Sequence, residues 1–256
     1  MIIATFNING VNRRLPNLIE WLGERKPDVA CLQELKADQK SFPVKELARA
    51  GYRAVWQGQR TWNGVAILAR GVEPILTRTA LPGDPSDTQA RYIEAAVNSV
   101  LIASIYAPNG NPQPGPKFDY KLAWHARLHR HATELRKTGA PVVIAGDYNV
   151  APTELDIYST ASYDDNALIQ PESRAAFRKL VGRYWTDALR SKYPGERIYT
   201  FWDYKRMRWP RDAGLRLDHL LLSPPAAERL AEAGVDRDVR GRDGASDHAP
   251  AWIRLR

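Results

Sequence analysis

One cysteine, two methionines and no long apolar run set the first limits on this chain of 256 residues. Cys31 is alone, which excludes an intramolecular disulfide framework. No window approaches the roughly 18 consecutive apolar residues of a membrane helix, so no membrane partner is expected. The opening MIIATFNING has no basic region followed by an apolar stretch, so no secretion signal is expected and the reducing cytoplasm is the expected compartment. No glycine-rich loop has P-loop spacing, and Ser246 has no nucleophile-elbow surroundings, which argues against nucleoside triphosphate hydrolysis and serine-based acyl transfer. Internal repeats, long linkers and low-complexity tracts are also missing, so a single domain over residues 1–256 is the expectation.

What is present is a basic chain of short apolar runs. Lys plus Arg number 37 against 29 Asp plus Glu, a formal charge of +8 that favours a polyanionic partner such as nucleic acid or an acidic membrane surface. Strand-like runs rich in β-branched and aromatic residues cover 2–6, 29–32, 52–56, 65–68, 92–97, 101–106, 142–145, 217–222 and 252–255. The clearest helical pattern runs from Phe118 to about Lys137 and stops at Gly139-Ala140-Pro141; others are expected at 15–25, 44–50, 172–181 and 225–233. Strands outnumber helices and several follow one another directly, so two packed sheets flanked by helices fit better than alternating βαβ units.

These apolar runs end repeatedly in acids and amides. IIATFNIN ends in Asn7 and Asn9, VACLQE in Glu34, LIASIYAPNG in Tyr106 and Asn109, and VVIAGDYN in Asp147 and Asn149. Asp218 sits within LRLDHLLLS, and SDHAP places Asp247 and His248 before the last strand. A rigid strand that delivers a polar group at its tip suits a reactive site. Taken singly, Asn and Asp at such places are more often turn residues. Asp218 is the sharpest signal, because its apolar neighbours indicate burial and a buried carboxylate needs a partner, for which His248 is the candidate. His219 falls on the opposite face of that strand. In WHARLHRHA, His125 and His129 have the spacing of a helical metal pair, but Ala126 stands where a zinc protease has glutamate, so the segment reads as a solvated helix face.

The remaining donor set is hard oxygens with one imidazole and no thiolate. Such a set suits Mg²⁺ or Mn²⁺, which share substrate phosphate oxygens with one or two protein carboxylates. Phosphoester hydrolysis needs a base for water, cationic help at the phosphate and stabilisation of the leaving oxyanion, and the strand tips supply such groups.

The ordered set NING at Asn7, CLQELK around Glu34, NGVAIL, YAPNGNP with KFDYKLAW, GDYNVAPTELD, GLRLDHLLLS and SDHAP resembles the exonuclease III family of apurinic/apyrimidinic endonucleases. It spans nearly the whole chain, from Asn7 to Pro250. The resemblance implies a DNase I-like four-layer α/β sandwich with two central mixed β-sheets flanked by helices. It implies Glu34 as principal metal ligand with Asn9 and Asp247 near the ion, and Mg²⁺ as cofactor with Mn²⁺ able to substitute. Asp147 would be the base for water, held by Asn7 and assisted by Asn149; Tyr106 would bind the phosphate; His248, oriented by Asp218, would contact its oxygens. The implied partner is double-stranded DNA with abasic sites or recessed 3′ ends, bound by a monomer that cuts 5′ to the lesion and trims 3′ ends. Phe201, Trp202, Leu215 and Leu217 are expected walls of a pocket for a flipped abasic sugar, ordinary core packing being the competing reading for Trp202 and Leu217. In KRMRWPRD, Arg206, Arg208 and Trp209, with Lys205, Arg211 and Met207, are expected at the duplex, and Asn109, Asn111, Lys117 and Arg91 are secondary candidates. A phosphodiesterase of the wider superfamily acting on RNA or a phospholipid headgroup is the alternative; it would keep the metal and histidine residues without the abasic pocket.

Overall fold

The structure is a computed structural model that describes residues 1–159, 161 and 163–256. In chain order the strands are β1 (Ile2–Asn7), β2 (Val29–Gln33), β3 (Tyr52–Gln57), β4 (Val65–Arg70), β5 (Ile75–Arg78), β6 (Tyr92–Val97), β7 (Val100–Tyr106), β8 (Val142–Asp147), β9 (Thr186–Asp187), β10 (Asp218–Leu222), β11 (Leu230–Val235) and β12 (Ala251–Leu255). The helices are α1 (Leu15–Arg25), α2 (Val44–Arg49), α3 (Pro116–Lys137), α4 (Pro171–Val181), α5 (Ala188–Lys192) and α6 (Pro224–Ala227).

Among the described residues the strands form two mixed sheets, sheet one ordered β11-β12-β1-β2-β4-β3 and sheet two ordered β5-β6-β7-β8-β10-β9. The β1–β2 and β7–β8 pairs are parallel, and the other named pairs are antiparallel. Successive side chains point to opposite faces of a strand. Ile3 of β1, Cys31 of β2, Ile102 of β7, Val143 of β8 and Leu220 of β10 therefore meet in one apolar layer between the sheets. Their neighbours turn outward: Phe6 and Leu32 pack with Leu18 and Trp21 of α1, while Ile105 and Ile144 pack with Trp124 and Leu128 of α3 and Phe177 of α4. The result is the four-layer sandwich that the family resemblance implies, and it contains the two packed sheets flanked by helices that the strand-rich pattern predicts.

The layer between the sheets changes character along the strands. On β1 the inward series runs Ile3, Thr5, Asn7; on β7, Ile102, Ser104, Tyr106; on β8, Val143, Ala145, Asp147; on β10, Leu222, Leu220, Asp218. Buried Thr5, Gln33 and Ser104 form a hydrogen-bonded belt across the sheets, Thr5 Oγ1 to Gln33 Oε1 at 3.1 Å and Gln33 Nε2 to Ser104 Oγ at 3.0 Å. One step further along lie the acids and amides of the strand tips.

Two local expectations differ from the structure. The helix expected over 225–233 is a single turn, α6, followed by strand β11. Pro224 and Pro225 favour the first turn of a helix, but the residues from Leu230 onward pair with β12 at the sheet edge and bury Leu230 and Ala233, which wins the segment for strand. The histidines of α3 are not a solvated face: His125 and His131 are buried, with only His129 half-exposed. His131 faces the sheet that contains β6, where its Nε2 meets Tyr92 Oη at 2.9 Å and Glu94 Oε2 at 3.0 Å.

Candidate active site

Three adjacent strands of sheet two place Tyr106, Asp147 and Asp218 side by side, with Tyr106 in register with Asp147 and Asp147 in register with Asp218. Gly146 makes the close approach of β7 and β8 possible, because a Cβ there would lie 2.0 Å from the Ile105 carbonyl oxygen. From sheet one, Asn7 at the end of β1 reaches across: its Nδ2 donates to Glu34 Oε1 at 3.0 Å and to Asp147 Oδ2 at 3.0 Å. One amide thus bridges both sheets and both carboxylates.

Glu34, Asn9 and Asn149 each follow a strand in left-handed backbone with φ of 50°. The conformation costs roughly 1–2 kcal/mol for a residue with a Cβ and persists where surrounding bonds over-determine it. Those bonds are present. Asn9 N–H donates to Asn7 Oδ1 at 3.1 Å, and Asn149 N–H donates to Asp147 Oδ1 at 2.8 Å. Asn149 Nδ2 donates to the Ala107 carbonyl at 2.8 Å and leans on Asp147 Oδ2 at 3.4 Å, while Asn109 Nδ2 donates to Asn149 Oδ1 at 3.2 Å.

The loop before β12 closes the site from the other side. His248 Nδ1 donates to Asp218 Oδ2 at 2.7 Å, leaving Nε2 aimed into the site, 3.8 Å from Asp147 Oδ2. Phe201 packs against the same imidazole at a tilt of 60°, ring centroids 5.0 Å apart. Burial disfavours the imidazolium, yet Asp218 and Asp147 outweigh it and push His248 above its ordinary value. For Asp147, burial raises the carboxyl and the carboxylates of Asp218 and Glu34 add to it, against the pull of His248 and the Asn149 N–H. Burial also pushes Glu34 up, but Lys36 and the Asn7 amide hold it below the usual carboxylate range. Tyr106 is held above its ordinary value by burial and by the charges of Glu34 and Asp147, so its hydroxyl stays a donor. Two buried carboxyls joined by one amide are therefore pushed in opposite directions.

Lys36 supplies a direct observation on cation binding. Its Nζ lies 2.9 Å from Glu34 Oε2 and 2.6 Å from Asn9 Oδ1, while Asn9 Nδ2 donates to Asp247 Oδ1 at 2.9 Å. Glu34 and Asn9 thus converge on a positive centre, with Asp247 behind. No group of three His, Cys, Asp or Glu among the described residues could hold a metal ion. A divalent ion here would take one or two carboxylates and complete its shell with amide oxygen, water and phosphate, the habit of Mg²⁺. The residues present fit such an ion.

The expected catalytic and metal-side residues, Asn7, Asn9, Glu34, Tyr106, Asp147, Asn149, Asp218, Asp247 and His248, all meet at this one end of the sandwich. The substrate side is rearranged. Trp202 is buried and packs on Tyr199 and Ala249, its Nε1 donating to Asp212 Oδ1 at 3.0 Å; it belongs to the core rather than to an open wall. Leu215 and Leu217 are 0% and 2% exposed inside a cluster with Ile157, Leu168 and Ile169, and Phe201 alone of the four expected walls is half-exposed. Arg208 is also buried, its guanidinium over Tyr158 at 4.7 Å. Trp209 is wedged edge-on against Trp202 at 5.0 Å beneath Arg237 at 4.5 Å, so the solvent-facing cations of this loop are Lys205, Arg206 and Arg211, with Met207 66% exposed beside them. Arg91 lies at the site's edge, 4.8 Å over the Tyr106 ring. Lys36 and Trp62 went unread in the sequence; the indole, 66% exposed, lies 5.2 Å beneath Lys36 Nζ. It lines a cleft with Arg91, Tyr106, Asn109 and Lys117, a cavity of about 340 Å³.

Comparison with known proteins agrees with this geometry. The profile of the endonuclease/exonuclease/phosphatase family matches residues 4–248. The chain belongs to that family. Exodeoxyribonuclease III of Haemophilus influenzae is 31% identical over 272 residues, covering 100% of both chains. Among solved structures, an AP endonuclease from Archaeoglobus fulgidus is 35% identical with a TM-score of 0.93, covering 100% of this chain and 99% of the other. The 3′-5′ exonuclease NExo from Neisseria meningitidis is 38% identical with a TM-score of 0.95 at the same coverage. A structure of Neisseria NExo, described as a 3′ phosphatase bound to product DNA hairpin, is 36% identical with a TM-score of 0.94, again covering 100% and 99%.

Proposed function

We propose that this exonuclease III-type nuclease is a Mg²⁺-dependent DNA-repair phosphodiesterase that cuts 5′ to abasic sites in duplex DNA, leaves a 3′-hydroxyl and trims 3′ ends. The observation that carries the reading is the Asn7 bridge: one amide joins a lowered carboxylate, Glu34, to a raised one, Asp147, with the cationic His248 on the far side. Opposed shifts in neighbouring carboxyls separate a metal ligand from a general base.

Glu34 and Asn9, with Asp247 behind them, would hold the ion. When bound, Mg²⁺ polarises the phosphate and offsets charge on the leaving oxygen. Asp147, raised toward neutrality, accepts the proton of the attacking water, and Asn7 and Asn149 keep its two oxygens aimed. His248, kept charged by Asp218, places Nε2–H against a non-bridging phosphate oxygen, and the neutral Tyr106 hydroxyl donates to another. Lys205, Arg206 and Met207 on one side of the site, and Arg91, Lys117 and Trp62 on the other, present cations and exposed apolar surface to a duplex.

The closed packing of Leu215 and Leu217 favours a second reading of the balance, in which 3′-end trimming leads over internal incision. A flipped sugar would need that cluster to open, whereas a terminal nucleotide needs less displacement. Single-turnover cleavage tests both: a duplex with one abasic-site analogue beside a recessed 3′ end, with Mg²⁺ or with chelator. Fast Mg²⁺-dependent incision 5′ to the lesion supports the abasic reading, and a faster rate at the 3′ end supports the second. Cleavage of neither DNA by folded protein would turn the search to RNA or phospholipid headgroups.

A further inference from the structure

The centre described above leaves one buried charge unused. Lys121, in the second turn of α3, is 0% exposed, and its ammonium lies behind the site between the loops that follow β7 and β8. Its Nζ donates to the main-chain carbonyl of Asn109 at 3.0 Å and to that of Asn149 in an equally direct contact. Gly110, with φ of +90°, presses on the stem: a Cβ there would lie 2.6 Å from Lys121 Cδ. Burial pushes the amine down to about 7, with the charge of Asp147 working the other way. Burying an ammonium costs several kcal/mol unless bonds recover it, and a leucine or methionine would fill the same space without that cost. The bonds that the Lys121 amine makes to the two carbonyls are what offset that cost.

What the amine holds is Asn149. That residue is in left-handed backbone, and its N–H and Nδ2 both address Asp147. Its Oδ1 is gripped by Asn109 and its Nδ2 by the Ala107 carbonyl, leaving the peptide carbonyl as the remaining point at which its rotation is set. Lys121 takes that carbonyl and the carbonyl of Asn109 with one ammonium. We propose that Lys121 is a positioning residue of the nuclease centre, locking Asn109 and Asn149 together so that Asn149 aims Asp147 at the attacking water. This rests on the reading of Asp147 as the base.

Arg127 supplies a control on the same helix, differing in that it is also paired with Asp87 at 2.7 Å. It is also buried, and its guanidinium donates to the carbonyls of Pro82 at 3.1 Å and Leu81 at 2.6 Å, on a loop outside the site. The experiment compares wild type, Lys121→Met, Lys121→Gln, Arg127→Met and Asp147→Asn in single-turnover cleavage of an abasic duplex at saturating Mg²⁺, with DNA affinity and Tm measured alongside. Lys121→Met should slow the step by about 10- to 100-fold with DNA affinity within about threefold, since misplacement of a reacting group by an ångström has that effect. Lys121→Gln, which restores one donor, should recover part of the rate. Arg127→Met should lower Tm and keep the cleavage rate of the folded protein within about twofold. A normal rate in a folded Lys121 variant, a parallel loss of rate in Arg127→Met, or failure of both Lys121 variants to fold overturns the proposal, the last by assigning the lysine to the core. If wild type cuts and Asp147→Asn does not, such a result counts against Lys121 alone. If wild type cuts no DNA, the reading of Asp147 falls first.

Discussion

Asp147 and Asp218 face each other directly across two antiparallel strands, a placement of like charges that is unfavourable unless a cation intervenes. His248 intervenes, 2.7 Å from Asp218 and 3.8 Å from Asp147, so a single ring links the two acids. Asp147→Asn keeps the size but removes the proton acceptor, its amide nitrogen giving up one of the donors that Asn7 and Asn149 present; turnover on abasic duplex should fall by at least roughly 10²-fold with Tm nearly unchanged. His248→Asn should fall as far, and near-normal turnover in either variant would remove the role given to it. The strand-tip acids and amides were legible in the sequence because an apolar run ending in a polar residue is a local pattern. Lys36 and Lys121 were not, because a lysine reads as a solvated charge until tertiary contacts show Glu34 beside one and two carbonyls around the other. His125 and His131 misled for the same reason, burial being a property of the partner sheet rather than of the helix that carries them.

The loop over 203–212 shows how an element divides its residues between holding and reaching. Trp209 inserts against Trp202, and Arg237 closes over both rings at 5.7 and 4.5 Å while its NH2 group donates to Asp212 at 3.0 Å. Arg206 and Met207 are in left-handed backbone, with φ of 57° and 52°, at the apex that this packing supports. The alternation of cations and apolar residues in KRMRWPRD marked the segment as a candidate for duplex contact, but the sequence could not say which apolar residue faces outward. Trp209→Ala should cost about 2 kcal/mol of stability, less than a fully buried tryptophan, with weaker DNA binding as the loop loosens. Met207→Ala should leave Tm unchanged and weaken abasic-duplex binding alone, the signature of a side chain that wedges or stacks in the bound duplex. Denaturation and binding titrations on the two variants separate these effects; equal loss of stability would refute the division. The β11 segment teaches the complementary lesson, since its proline-marked turn is local while its pairing with β12 is not.

At the scale of the whole molecule, the layers are clamped by buried ion pairs and the surface carries the excess charge. Glu94 joins α3 to sheet two, accepting from Thr77 Oγ1 at 2.7 Å and Tyr92 Oη at 2.6 Å and meeting His131 at 3.0 Å. Burial raises its carboxyl, but these bonds outweigh burial and lower it from 4.5 to about 2. A depressed carboxyl contributes stability that is complete above its ordinary value and is lost as pH falls through its folded value. Glu94→Gln should therefore be less stable than wild type at neutral pH, with the gap closing as pH drops from 4.5 toward 2; a gap constant with pH would rule the clamp out. The excess of +8 makes a different prediction, because only cations that reach phosphate release counterions. Arg206 is exposed and Arg208 is buried over Tyr158, although they are two residues apart in one basic run. Arg206→Ala should lower the slope of log binding constant against log salt by about 1, the share of one phosphate contact, with no change in Tm. Arg208→Ala should leave that slope alone and lower Tm, since its charge is committed to the aromatic rings beneath it. Equal slopes for both variants would mean that the loop turns Arg208 outward when DNA binds, and the charge that counts for the duplex would then include residues that the free protein keeps inside.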